Sequence, residues 1–220
     1  MKPDGYIGLL GLGEESTLHY IKKFNTKWRQ LYGAYCTCPL KMLQVDFNTI
    51  NPNLPFNFDK LIPLVEKHII TLFNMGVDAI VVPNMTLHLT IDQISLPKEI
   101  REKIIHPFTE TIHFLKSNKI KNISILGTRH TMNNELINSY FKEAAITADK
   151  ISSSNIKIID DLRNAVYDNG ANAVRRNEWA NINLPNSHKV ILCTELSRIN
   201  NGSTDALEIQ IDKAIAKLHI

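Results

Sequence analysis

At 220 residues the chain is long enough to bury one large α/β core or two small ones. With 44% hydrophobic and 21% charged residues and a net charge of +3, its composition is that of an ordinary soluble globular protein. The charge is too weak and scattered to point to nucleic acid; no apolar run approaches the roughly 18 residues of a membrane helix. Three cysteines are an odd number and a poor disulfide framework, so a reducing cytoplasm is the expected setting.

The opening residues enter a strand directly, with no signal peptide in view. Tyr6 to Gly11 is that strand, and Gly11-Leu12-Gly13-Glu14-Glu15-Ser16-Thr17 turns into a helix. The turn lacks the full G-x-G-x-x-G pattern and sets two acids where a pyrophosphate would approach, so it reads as a tight β-to-α turn bordering a cleft. Leu18, Ile21, Phe24, Trp28 and Leu31 form the predicted apolar stripe of the helix. Cys36-Thr37-Cys38 has no partner pair for tetrahedral zinc and reads as two free thiols.

Leu40 to Phe47 is predicted as the second strand. Asn51 to Phe58 is a Pro- and Asn-rich loop placed to cover a site. A helix follows from Leu61 to Met75, capped by Asp59 and ended by Gly76, with His68 packed on its apolar face. Asp78 to Pro83 is a third strand, delivering Asn84-Met85-Thr86-Leu87-His88 at its end.

Pro97 opens a helix that Pro107 interrupts or kinks before it continues to Leu115. The lysines between Lys116 and Lys121 read as a solvated loop. Ile123 to Leu126 is a strand leading into Gly127-Thr128-Arg129-His130-Thr131, and a helix is expected from Asn133 to Ala148. Ile156 to Ile159 reads as another short strand, with Asp160 or Asp161 capping a helix from Leu162 to Tyr167. Asp168 to Pro185 has no clear period. Lys189 to Leu192 is a buried strand that ends in Cys193-Thr194-Glu195, and Asp205 to Leu218 is a final helix packing back on the first half.

Strands alternating with helices at this pitch imply parallel sheets with right-handed crossovers. The expected fold class is α/β, with two similar Rossmann-like lobes and the active site in the cleft between them. One lobe is 1–97 plus 203–220 and the other 98–202. In such sheets ligands gather beyond the C-terminal strand ends. That is where Asn84 and Cys193 fall, and free backbone N–H groups there suit a thiolate.

These residues carry a resemblance to the aspartate/glutamate racemase superfamily, most of all its aspartate racemase branch. Ile7 to Gly11 through Glu15-Ser16-Thr17 resembles that branch's I-G-I-[IL]-G-G-M-x-P-E-[AS]-T, one glycine shorter and without the proline. Val45-Asp46-Phe47 resembles S-V-D-F. Leu126 to Thr131 resembles L-A-T-x-G-T, with His130 in place of the glycine, and Leu192 to Leu196 resembles G-C-T-E-[IL], the segment of the second catalytic cysteine. Where the family has M-P-C-N-T-A-H, this chain has Val82-Pro83-Asn84-Met85-Thr86-Leu87-His88, so Asn84 stands at the first catalytic cysteine.

The resemblance implies a reaction without pyridoxal, other cofactor or metal, in which one thiolate removes an α-proton and a second thiol returns one from the opposite face. It also implies a homodimer, with a small carboxylate or amino acid as partner and neither nucleic acid nor membrane. Cys193 is the surviving acid/base. Thr86, Thr128, Thr131, Thr194, His130 and Gly11 are the expected substrate-binding residues. An asparagine amide has no proton to exchange near neutral pH, so two-thiol chemistry is excluded by this alignment.

Three readings follow. The chain is a racemase-like isomerase of a small acidic amino acid, its second base a water, His130, His88, Cys36 or Cys38. Alternatively Cys193 works alone in a decarboxylase or lyase, as in the arylmalonate decarboxylases of the same superfamily. In the third, the chain is a silent binding protein for a small carboxylate.

Overall fold

Ile7–Gly11 (β1) has every residue buried, which is how a strand covered on both faces of a parallel sheet must read. In the computed structural model, which describes residues 3–173, 182, 184, 187–200 and 202–219, it is the middle strand of a three-stranded sheet. β2 (Leu40–Gln44) and β3 (Ala79–Val81) flank it, both parallel, with Ile7 opposite Leu40 on one side and Ala79 on the other. Clustering of contacts divides the chain into two units, Met1–Pro107 with Gln210–Ile220, and Phe108–Ile209.

In the first unit α1 (Glu14–Tyr32) buries Thr17, Tyr20, Phe24 and Trp28. Leu18 and Leu31, expected on that face, are 54% and 59% exposed. The face is rotated because Tyr20 can be buried: its hydroxyl donates to Gln210 Oε1 at 2.6 Å, a partner from the far end of the chain. α2 (Phe58–Asn74) starts earlier than expected, so Asp59 lies in its first turn rather than capping it. It packs Leu61, Val65, Ile69 and Leu72 with Leu10, Ile80, Val82, Leu87 and Ile91 in one core, and Gly76 at φ +68° follows it. His68 is half-buried there, and burial lowers its pKa. β2 stops at Gln44, and short 3-10 turns occupy Phe47–Thr49 and Asn51–Asn53. α3 (Leu87–Gln93), not foreseen, and α4 (Lys98–Arg101) complete this stretch.

In the second unit β4 (Asn122–Leu126), β5 (Thr147–Ala148), β6 (His188–Ile191) and β7 (Thr204–Asp205) form a parallel sheet in the order β5-β4-β6-β7. Pro107 begins α5 (Pro107–Ser117) instead of kinking a longer helix. α6 (Arg129–Met132) and α7 (Glu135–Glu143) replace the single helix expected to reach Ala148. Ala145 at φ +61° breaks the chain into β5.

The strand expected at Ile156 to Ile159 lies inside α8 (Ser153–Asn169). Ile156, Ile159, Leu162 and Val166 are its buried stripe, and Ser152 caps it by accepting from Asn155 N. The helix thus starts before Asp160 and Asp161. Of the stretch from Asp168 to Pro185, Asp168 and Asn169 end α8 and Ala171–Ala173 form a 3-10 turn. Residues 174–181, 183 and 185 lie outside the described residues. α9 (Thr194–Ser197) follows β6, and α10 (Ala206–Lys217) is the expected last helix. The lysines at 116, 119 and 121 are exposed. No described helix is long and apolar enough to cross a membrane.

Candidate functional site

Both sheets reverse their strand order once. After β1 the chain goes to β2 on one side and then to β3 on the other; after β4 it goes to β5 and then to β6. A parallel sheet opens a crevice at such a reversal, beyond the C-terminal strand ends. The reversal in the first unit is bordered by Gly11 and Asn84, and that in the second by Gly127-Thr128 and Cys193.

In the second unit Cys193 is 4% exposed and sits in extended backbone immediately before α9. Its Sγ donates to Glu195 Oε2 at 2.9 Å, and Thr194 Oγ1 donates to the same oxygen at 3.1 Å. Burial pushes the thiol well above its ordinary range. The charge of Glu195 and its acceptance of the S–H push the same way. Backbone N–H groups of Leu196 and Glu195 act oppositely and are outweighed. The expected thiolate is therefore held as a thiol here, first by burial and then by the carboxylate that faces the sulfur.

Glu195 is held from another helix. Arg163 Nη1 lies 3.7 Å from its Oε1, and Arg163 Nε donates to Asp160 Oδ1 at 3.3 Å, one turn earlier on α8. The same Asp160 oxygen accepts from Arg129 N at 3.2 Å, which ties α8 to the turn after β4. In that turn Thr128 Oγ1 caps α6 by accepting from Thr131 N at 3.0 Å, and the two hydroxyls are 2.9 Å apart. His130 is exposed beside them. α9 is fixed from its far side by Ser197 Oγ, which donates to Asp205 Oδ2 at 2.6 Å. Arg163 and Asp160 were missed in the sequence because they stand about thirty residues from Cys193 without a local motif. The single available signal was their spacing of three, which pairs side chains once α8 is recognised.

In the first unit the Gln44 amide lies against Gly11: a Cβ there would lie 2.2 Å from Gln44 Oε1 and would displace that side chain. Gln44 Nε2 donates to Leu12 O at 3.0 Å, while Thr17 Oγ1 accepts from Leu12 N and donates to Gly13 O. The Gly-rich turn is thus closed by its own side chains. Asn84 is half-buried; its Oδ1 accepts from Leu87 N at 2.9 Å and from Thr86 Oγ1 at 3.0 Å. Asn84 and Thr86 therefore come together as the turn that starts α3, and Met85 is buried behind them.

His88 is wholly buried, with Nε2 3.3 Å from Val82 O and its ring edge-on to His106 at 4.7 Å. Burial lowers its pKa well below 6.5, and the neighbouring His106 adds to this, so it is a neutral packing residue rather than a base. Cys36 and Cys38 precede β2, at the opposite end of the sheet from Asn84, and Cys36 Sγ donates to Tyr32 O at 3.1 Å. Neither supplies a thiol at the reversal. Among the described residues no group of three or more His, Cys, Asp or Glu is placed to hold a metal.

No family model and no curated protein matches the chain. Solved structures do. An aspartate racemase homologue from Pyrococcus horikoshii aligns over 100% of both chains at 19% identity with a TM-score of 0.81. The aspartate racemase of Picrophilus torridus aligns over 98% of this chain and 94% of its own at 16% identity, TM-score 0.74. The chain has the aspartate racemase fold. The maleate isomerase of Pseudomonas putida is more distant, at 11% identity over 98% of this chain and 93% of its own, TM-score 0.58. At such identities the likeness speaks for the fold, and the chemistry rests on the residues themselves.

Proposed function

We propose that the protein is a cofactor-independent, racemase-like isomerase acting at the α-carbon of a small acidic amino acid of the aspartate or glutamate type, with Cys193 as the acid/base. The observation that carries this reading is the buried Cys193 thiol donating to Glu195 at a strand-order reversal. Cys193 works as a thiolate once its S–H proton, hydrogen-bonded to Glu195, has left for solvent. The thiolate then takes the α-proton, leaving its electron pair on a carbon stabilised by the adjacent carboxylate; a second donor on the opposite face, a water or His130, returns a proton for inversion, and exchange with solvent resets both groups. Thr128, Thr131 and Thr194 are the proposed hydrogen-bonding groups for substrate carboxylates and the enolate-like intermediate.

A second reading, a one-cysteine decarboxylase or lyase, is favoured by a specific observation: the buried Cys193 donates its S–H to Glu195 Oε2, an arrangement that favours the thiol, the form that quenches a carbanion made by loss of another group.

The test is proton NMR in D₂O of L- and D-aspartate and glutamate with the wild type and Cys193→Ala. Loss of the α-proton signal with the wild type alone supports carbanion chemistry at Cys193. Exchange of one enantiomer without inversion means a single working base, and inversion means a second, with His130 replaced next. No exchange with any of the four sinks the isomerase reading for these substrates. Loss of carbon dioxide from malonates would then establish the decarboxylase.

A further inference from the structure

Asp160 touches both the turn after β4 and Arg163, the residue facing Glu195. Its Oδ1 accepts from Arg129 N at 3.2 Å and from Arg163 Nε at 3.3 Å, and its Oδ2 lies 3.9 Å from Arg129 Nε. Arg163 and Asp160 side chains are only 20% and 18% exposed, and Glu195 is equally withdrawn at 18%. Such a pair inside a fold is worth more as orientation than as stability, because desolvation offsets much of the attraction. A guanidinium presents a rigid fork, so fixing Nε at Asp160 fixes where the terminal nitrogens point. Here Nη1 lies 3.7 Å from Glu195 Oε1, while Nη2 donates to Asn164 Oδ1, so Asp160 and Asn164 hold the fork together.

We infer that Asp160 is a positioning residue: it aims Arg163 at Glu195, the acceptor of the Cys193 S–H hydrogen bond, and so links the Gly127–Thr131 turn to the acid/base thiol. The inference rests on the proposed role of Cys193. The charged groups involved come from three elements: Arg129 on α6, Asp160 and Arg163 on α8, and Glu195 on α9. Arg163 partly neutralises Glu195. If its aim is lost, the Glu195 carboxylate faces the thiol without that compensating charge, and the thiol holds its proton harder.

Alkylation by iodoacetamide tests this on the full chain without any substrate. The rate is followed by mass at the peptide carrying Cys193, between about pH 8 and about pH 10, where rate tracks the thiolate fraction and one unit of pKa is tenfold. Arg163→Gln is expected to slow Cys193 about tenfold, Asp160→Ala about threefold, and Glu195→Gln to speed it about tenfold. Asp160→Asn keeps an oxygen for both N–H groups and is expected within about twofold of the wild type.

A merely structural Asp160 would loosen the packing when removed and speed alkylation, the opposite sign. An unchanged or faster rate in Asp160→Ala therefore overturns the inference. So does an unchanged rate in Arg163→Gln, which decides the matter even where Asp160→Ala does not fold. If the rates move as expected but no substrate exchanges its α-proton, the positioning role stands and the proposed isomerase falls. If exchange occurs and the rates do not move, the reverse holds.

Discussion

Cys193 shows how far one residue's chemistry can be read from its neighbours in the chain. Its place at a buried strand end followed from Lys189 to Leu192. Its protonation state did not, because that depends on the direction of the Glu195 carboxylate and on Arg163, which comes from another helix. Asn84 is a similar case: its type was plain in the sequence, but its work as the cap of α3 appears only with the turn folded. A second thiol offers a cleaner test. Burial pushes Cys38 from 9.0 up to about 12. The unfolded chain gives up this proton first, so the contribution of Cys38 is full below about pH 9 and declines as pH rises toward 12, by at most about 1.4 kcal/mol per pH unit. Denaturant melts of the wild type and Cys38→Ala at about pH 8 and about pH 10.5 should show the wild type's advantage shrinking with pH. A constant difference would refute the shift.

At the scale of elements, the parallel strands and α2 were legible because both follow simple apolar patterns. α8 was not. Taken four at a time, Ile156 to Ile159 looks like a strand; over the whole of Ser153–Asn169 the buried residues recur every three or four. The turns between elements carry two predictions. A Cβ on Gly127 would lie 2.9 Å from Thr131 Cγ2 and 3.2 Å from Leu192 O, and the backbone oxygen cannot yield cheaply. Gly127→Ala should cost about 1–3 kcal/mol in a denaturant melt. It should also slow any reaction that uses Thr131. In α3, His88 is held neutral by burial and by His106, so its folded pKa lies below the unfolded 6.5. Its contribution is present above about pH 6.5 and lost as pH falls below it, when the unfolded chain takes up the proton first. His88→Gln should therefore lose less stability than the wild type between about pH 7 and about pH 5; parallel acid limbs would count against it.

The first unit as a whole is closed by a residue from the end of the chain. Gln210 accepts from Tyr20 and donates through Nε2 to Ile105 O at 2.6 Å, and it is wholly buried. Gln210→Ala would remove the amide that bonds the Tyr20 hydroxyl and the Ile105 carbonyl, and should cost about 2–4 kcal/mol by calorimetry or denaturant, against about 1 kcal/mol for Tyr20→Phe. Two near-equal small losses would mean that water replaces the amide. The discontinuity of this unit bears on synthesis. Phe108–Ile209 is contiguous and complete once it has left the ribosome, whereas Met1–Pro107 emerges first without the helix that carries Gln210, Ile211, Ala214 and Ile215. The earlier-made half must wait for that helix while the later-made half folds. On a nascent chain, protease resistance should therefore appear in the order opposite to translation.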